Sequence, residues 1–299
     1  MVNLNPVALT RAVCVTSARM KTKIPDELAR EVSQNKWGKI LLATPVVMTV
    51  IATLLAGLAS SEMTRAQYDR ALGAQLQSKA GDQWAYFQAK KLRGAMQQNS
   101  LELLTATTDI RPVENPALEK IPVPATLNLD SNLEAAMQAV EQQKPETEIA
   151  ELLKPVDDQS LAATLQTAKD NALAFDTALV PANQALAQLE KSLPAGDKAA
   201  VRDLTAARMR FLAARYNAEA NLNQSIANLY ELQVRKANVS AERHHKRSGK
   251  FFFGMLAAQA AVIVSTFAIA AQKRSFLWML AAASGLAAVL FAIYVYLRV

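Results

Sequence analysis

The sequence predicts an all-α membrane protein with three transmembrane helices and a long antiparallel, coiled-coil-like helical domain outside the membrane. Three observations lead there. Three apolar runs are free of charged residues, two long proline-free segments run straight into the first two of them, and alternating β-branched runs with Asn-Gly turns are missing.

The apolar runs are Ile40 to Ser60, Phe251 to Gln272 and Ser275 to Leu297. A spanning helix needs about 20 mostly apolar residues, so each run suffices alone. The first is too long, and too far from Met1, for the apolar region of a cleaved signal peptide, and reads as an uncleaved anchor. Around the runs the chain divides into a basic tail (1–39), the first span (40–60), a long helix continuous with it (61–108), a proline-punctuated middle (109–195), a return helix (196–250), and the second and third spans (251–272 and 275–297).

In the tail, Asp26 and Glu27 follow Pro25, as in the first turn of a short helix, where the helix dipole favours carboxylates. Pro45 falls early in the first span, where a missing amide hydrogen costs least. From Glu62 to Thr107 there is no proline. Tyr68, Leu72, Leu76, Ala80 and Trp84 recur every four residues and predict one packed side of a rod. Four prolines between Pro112 and Pro124 then break the helix. Beyond them, the segments from Asp130 and from Asp157 read as the clearest short helices, the latter capped by Asp158 or Ser160. In the return segment Val201, Leu204, Phe211, Ala218, Leu222, Leu229, Leu232 and Val239 approximate heptads, with Arg208, Arg215 and Lys236 intruding on the seam. The middle is expected at the far end of the two long helices or folded back along them. Only Lys273 and Arg274 join the last two spans, which predicts a tight hairpin packed through Gly254, Ala258, Ala261, Ala281, Ser284, Gly285 and Ala288.

The net charge of +7 is not a nucleic-acid signal, because Glu62 to Lys250 holds 23 Lys and Arg against 23 Asp and Glu. The excess lies in the tail, the Lys273-Arg274 turn and Arg298, beside the apolar runs, where basic residues set topology. That placement favours a cytoplasmic tail and a periplasmic helical domain in a bacterial inner membrane. Arg243, His244, His245, Lys246, Arg247 and Lys250 form a second basic cluster; with Lys273 and Arg274 they are the candidates for contact with lipid headgroups.

No catalytic or cofactor chemistry is implied. Phosphate-cradling glycine loops are missing, and the two histidines are adjacent, so they point to different faces of a helix and cannot share a metal. The single cysteine, Cys14, excludes an intrachain disulfide. The spans hold no Asp, Glu, Lys, Arg or His, which weighs against a transport path, while Gln259 and Ser265 could bond across helices.

The stretch GDQWAYFQAKKLRG, Gly81 to Gly94, sets Trp84, Tyr86 and Phe87 beside Lys90, Lys91 and Arg93. These six residues are the candidate packing or partner-binding patch. The expectation is that Trp84 and Phe87 bury against the return helix near Phe211 to Ile226, and that Lys90 and Lys91 lie over the rings of Tyr86 and Phe87. Asp82, Gln83, Trp84, Ala85, Tyr86, Gln88, Ala89 and Lys90 resemble the signature of the domain-of-unknown-function 4337 family, bacterial membrane proteins without an assigned activity, with Phe87 where that family more often has a second tyrosine. AERHHKR before the second span and KRSFLW before the third are similar as well. The resemblance covers the first span, the Glu62 to Thr105 helix and the last seventy or so residues; the Pro112 to Pro194 middle is longer than the family pattern. It implies the architecture and no chemistry.

These features point to a non-enzymatic, self-associating scaffold or an accessory subunit, with lipids and either a second copy or another membrane complex as partners. A sensor whose helical stalk binds a ligand is the alternative, and a channel or transporter subunit the third.

Overall fold

The computed structural model describes residues 36–119, 121–194, 196–270 and 276–298. Cys14, the short helix expected after Pro25, and the Lys273-Arg274 turn lie outside the described residues. Among the described residues every regular element is a helix: α1 (Lys36–Thr107), α2 (Pro116–Glu119), α3 (Ser131–Glu141), α4 (Glu146–Leu153), α5 (Asp158–Ala178), α6 (Val180–Ser192), α7 (Lys198–Ala270) and α8 (Phe276–Arg298). Three of them, α1, α7 and α8, are long and apolar enough to cross a membrane. The chain forms two compact units, one drawing on residues up to Leu54 and from Gly254 to Ala292, the other on Leu55 to Phe253 with the last residues from Ile293.

In the larger unit α1 and α7 run antiparallel. Ser248 Oγ donates to the Ala59 carbonyl at 2.7 Å, Ser240 Oγ to Asp69 Oδ2 at 2.7 Å, and the Arg111 amide to Asp203 Oδ1 at 3.2 Å, so partners descend along one helix as they ascend along the other. What brings the backbones together is a row of small residues on each helix. On α7, Ala206, Ala213, Ala220, Ala227, Val234, Ala241 and Ser248 recur every seven residues, and all are buried. On α1, Ala59, Ala66, Gly73, Ala80, Gly94 and Leu101 keep the same spacing and are buried, with Phe87 half-buried in the one remaining place.

The Ser248 to Ala59 bond anchors the two rows against each other. Carried along the helices, that register sets Ala66 against Ala241, Gly73 against Val234, Ala80 against Ala227, Phe87 against Ala220, Gly94 against Ala213, and Leu101 against Ala206. Wherever one row carries a large residue the other carries a small one, which is how a gapless interface fills its volume. Gly94 shows how close the approach is, because a Cβ there would stand 3.2 Å from Asn217 Oδ1 and 3.6 Å from the Ala213 carbonyl oxygen. A repeat of seven falls about 20° short of two full helical turns, so keeping the row at the contact requires a left-handed wrap.

The large-residue patterns expected from the sequence are therefore only part of the contact: Ala80, Leu229 and Leu232 share a core, while other members turn outward. Tyr68 is 69% exposed and Leu72 is 36% exposed, because a four-residue step overshoots the 3.6-residue turn and walks the row off the packed face. Val201 and Val239, expected in the heptad seam of α7, are likewise exposed, and the alanine row lies in their place.

The middle segment folds back along the helix pair rather than capping its end. Leu133, Ala136, Met137 and Val140 of α3, Ile149 and Leu153 of α4, and Leu161 and Leu165 of α5 share a core with Ala80 of α1 and with Ile226, Leu229 and Leu232 of α7. A second cluster joins Phe175, Leu179 and Ala182 to Phe211. Three helix starts, those of α3, α5 and α7, are capped by aspartates: Asp130 accepts from the Leu133 amide, Asp157 from the Gln159 and Ser160 amides, and Asp197 from the Ala199 and Ala200 amides. The α5 cap is thus Asp157, one residue before the expected Asp158, and Ser160 instead donates its hydroxyl to Asp130 Oδ2. At the end of α3, Gln143 takes a left-handed φ of 53° so that the Lys144 amide can reach the Ala139 carbonyl.

In the smaller unit, Ala52, Ala258 and Ala288 form a cluster flanked by Ile51 and Met255. Gly254, Ala258, Ala261, Ala281, Gly285 and Ala288 are buried as expected, with Ser284 half-buried. At Gly285 a Cβ would stand 2.5 Å from the terminal carbon of Met48. Gln259 is exposed and Ser265 donates to the Val262 carbonyl of its own helix, so neither bonds across helices as expected.

Ala227 is fully buried in the α7 row, so Ala227→Leu overpacks the closest approach and should cost about 1 to 3 kcal/mol. Thermal unfolding of the detergent-solubilised chain reads this, with Val201→Ala, half exposed, expected within about 0.5 kcal/mol of the parent. Gln143→Gly relieves a left-handed side chain and should stabilise by about 1 kcal/mol in the same measurement.

Candidate functional site

The Gly81 to Gly94 stretch sits at mid-length of the antiparallel pair, within a line of polar groups buried beside the alanine rows. The helix divides its six candidate residues between two sides. Trp84, Phe87 and Lys90 are half-buried, while Tyr86, Lys91 and Arg93 are exposed.

Trp84 and Phe87 meet edge to face, with ring centres 5.4 Å apart and planes at 84°. The indole Nε1 donates to Glu231 Oε1 at 2.6 Å. Trp84 thereby reaches α7 beyond the expected Phe211 to Ile226 interval, because the register of the alanine rows sets it near Glu231. From there the network continues. Arg235 pairs with Glu231 Oε2 at 3.7 Å one turn away, and its Nε donates to Glu146 Oε2 of α4 at 3.2 Å. Three helices are tied through one tryptophan, two carboxylates and one guanidinium, each charge facing an opposite one.

Lys90 does not lie over Tyr86. Its ammonium sits 5.4 Å from the centre of the Tyr216 ring and pairs with Glu219 Oε2, while Arg215 Nε donates to Glu219 Oε1 at 2.6 Å. Glu219 is only 5% exposed, and a carboxylate so far from water is tolerable because two cations face it. Lys91 is exposed rather than stacked on Phe87. Sequence reasoning had named the aromatic residues and Lys90 but not Glu219, Glu231 or Arg235. Their signal was the spacing of Arg215 and Glu219, and of Glu231 and Arg235, as opposite charges four residues apart on α7.

The basic cluster near the second span is divided in the same way. His244 Nδ1 lies 2.5 Å from Glu62 Oε2, so this residue turns to α1 instead of outward, while its neighbour His245 is exposed. Arg243 and Lys246 are exposed and Arg247 half-buried. Lys246 approaches Glu242 of its own helix at 3.5 Å. Lys250 lies 5.9 Å from the centre of the Tyr294 ring. Between this cluster and the Trp84 network, a groove of about 530 Å³ is floored by Leu72, Leu76, Leu153 and Leu161 and edged by Asp69, Lys236 and His244. Lys236 spans its rim, donating to the Val156 carbonyl and pairing with Asp158 at 2.8 Å.

Residues 39–180 match the family model of DUF4337, a domain of unknown function. The Trp84 stretch lies within the matched segment. The matched DUF4337 segment takes in α1 and continues through α2 to α5, so it includes most of the proline-punctuated middle that the sequence had set apart. It ends before α7, where the sequence had extended the resemblance. In structural terms the matched segment supplies Trp84, Lys90, Glu146 and Asp158, while Glu219, Glu231, Arg235 and Lys236 come from beyond it. Neither the curated proteins nor the solved structures yielded a match to this chain.

The Trp84 to Glu231 bond is part-buried and charge-assisted, so a double-mutant cycle of Trp84→Phe and Glu231→Gln should return a coupling of about 1 to 3 kcal/mol. Glu219→Gln removes the charge that faces both Lys90 and Arg215 and should lower stability by about 1 to 3 kcal/mol, while Glu102→Gln on the exposed face leaves it unchanged.

Proposed function

We propose that this chain is a non-enzymatic protein of a bacterial inner membrane that acts by assembling, as a self-associating scaffold or an accessory subunit of a membrane complex. The observation that carries this reading is where the polar chemistry goes. Trp84, Glu219, Glu231, Arg235 and Glu62 with His244 are used up in joining α1 to α7 and to the middle helices, while apolar residues face outward on the same helices. Buried charges committed to one another hold a shape and offer nothing to a reaction. An unusually long helix pair with a fixed register is a rigid spacer, suited to presenting a surface at a set distance. The distribution of basic residues supports a cytoplasmic tail and a periplasmic helical unit.

A second reading has its own support. The groove beside Lys236 has the volume of a small-molecule site and an apolar floor with polar edges, which suits a sensor that takes an amphipathic ligand. A ligand seated there would press on α1, α4, α5 and α7 together.

Mild crosslinking in native membranes, followed by mass determination of the solubilised species, separates the two. A discrete homo-oligomer, or a fixed complex with another membrane protein, is the expected result, and Trp84→Ala should lower its yield by loosening the α1 and α7 pair. A stable monomer whose melting temperature rises with an added amphiphile would replace scaffolding with sensing.

A further inference from the structure

On α1 a second row repeats with alternating steps of four and three: Ala85, Ala89, Leu92, Met96, Asn99, Leu103 and Ala106. All seven are exposed, Leu92 at 63%, Met96 at 58% and Leu103 at 67%. The row follows the buried one by two residues, from Phe87, Gly94 and Leu101 to Ala89, Met96 and Leu103. Two residues are about 200° of helix, so the row lies on the side turned away from α7. Alternation of four and three over three heptads is the spacing of a helix that meets another helix, and this chain meets α7 with a different row.

We propose that this face is where α1 pairs in parallel, and in register, with α1 of a second copy. The inference rests on the self-association proposed above and names its surface. The orientation follows from the spans, because copies inserted the same way in one bilayer present their α1 helices side by side and pointing the same way. A parallel seam in register brings each residue against its own copy. Asn99 then meets Asn99 across the seam and the two amides can bond.

The flanks are compatible with that arrangement. Gln88 falls beside the partner's Arg93, Ala95 beside its Ser100 and Glu102 beside its Thr107, so no like charges meet. Water-facing flanks of this kind also argue against a lipid covering.

The size of the seam sets the condition for pairing. A strip of 22 residues is about 33 Å long and about 10 Å wide, or about 330 Å², well under the roughly 800 Å² that each partner of a stable soluble complex gives up. Confinement of both copies to one bilayer supplies the effective concentration that the area does not.

The test uses the full chain with Cys14→Ser as background and single cysteines at Leu92, Met96 or Leu103 on the seam, or at Lys91, which is exposed on another side. Membranes are oxidised and the disulfide-linked dimer is quantified, while amine crosslinking of the cysteine-free chain reports oligomerisation independently, and unfolding curves verify each variant. The seam cysteines should give several-fold more linked dimer than Lys91→Cys. An amine-crosslinked homo-oligomer with no seam disulfide, or with more from Lys91→Cys, overturns the face and leaves self-association standing. Monomer in both assays overturns both, and a seam cysteine linked to a different protein overturns the second copy as occupant.

Discussion

The close approach of two backbones along matched rows of alanine, glycine and serine is the constraint on which the rest of this molecule depends. Alanine buries little apolar surface, so the rows hold the helices together by proximity, through many short contacts between atoms that larger side chains would have kept apart. Proximity also makes the register exacting. Phe87, Leu101 and Val234 each face a small residue, and a slip by anything other than a whole repeat would turn the rows out of contact. Among whole-repeat registers the polar pairs alongside, Asp69 with Ser240, Trp84 with Glu231 and Lys90 with Glu219, form in only one. The packing holds the helices together and the hydrogen bonds make other alignments costly.

The middle segment depends on this pair in turn. Its helices are short, at most 21 residues for α5, and helices of that length are marginal in water on their own. They gain their stability by covering Leu229, Leu232 and Phe211 on α7, and Asp130 and Asp157 satisfy amides that the restarts of α3 and α5 leave open. Asn228 Nδ2 to Glu141, Arg235 to Glu146 and Lys236 to Asp158 then pin α3, α4 and α5 in succession along α7. The division of the family match follows from this layout, since the matched residues carry α1 and most of the middle, and α7 from outside the match supplies the surface they close upon.

Much of this was legible in the residues. Charge-free runs of about 20 residues and the absence of proline mark the long helices without ambiguity, and the small residues of the second and third spans are buried where they were expected. The contact between α1 and α7 was not legible in the same way, because heptad reading looks for leucine and valine, and here the repeat is written in alanine. Alanine is common enough that its rows emerge only when seven-residue spacing is tested with small residues admitted. Trp84 was recognised as a packing element, but its partner depends on register, which no single helix contains. The α5 cap was displaced by one residue for a local reason: Asp157 and Asp158 are adjacent, and only the first has the extended backbone a cap requires. The Lys90 expectation failed because a ring four residues away on the same helix competes poorly with a buried carboxylate across the interface.

The seven-residue rows also bear on how a chain of this kind can change length. Adding one residue to α1 beyond Ala59 would rotate everything after it by about 100° and turn Ala66, Gly73 and Ala80 out of the contact. Adding seven to α1 alone would restore the facing but displace every pair by one repeat, separating Trp84 from Glu231 and Lys90 from Glu219. Only sevens added to both helices at matching levels preserve the joint. The loops between α2 and α6 carry no such accounting, since α3 to α6 are placed by the cores they share with α7. Changes of length are thus tolerated most readily in the proline-punctuated middle, while the long helices can be lengthened only by whole repeats, two at a time.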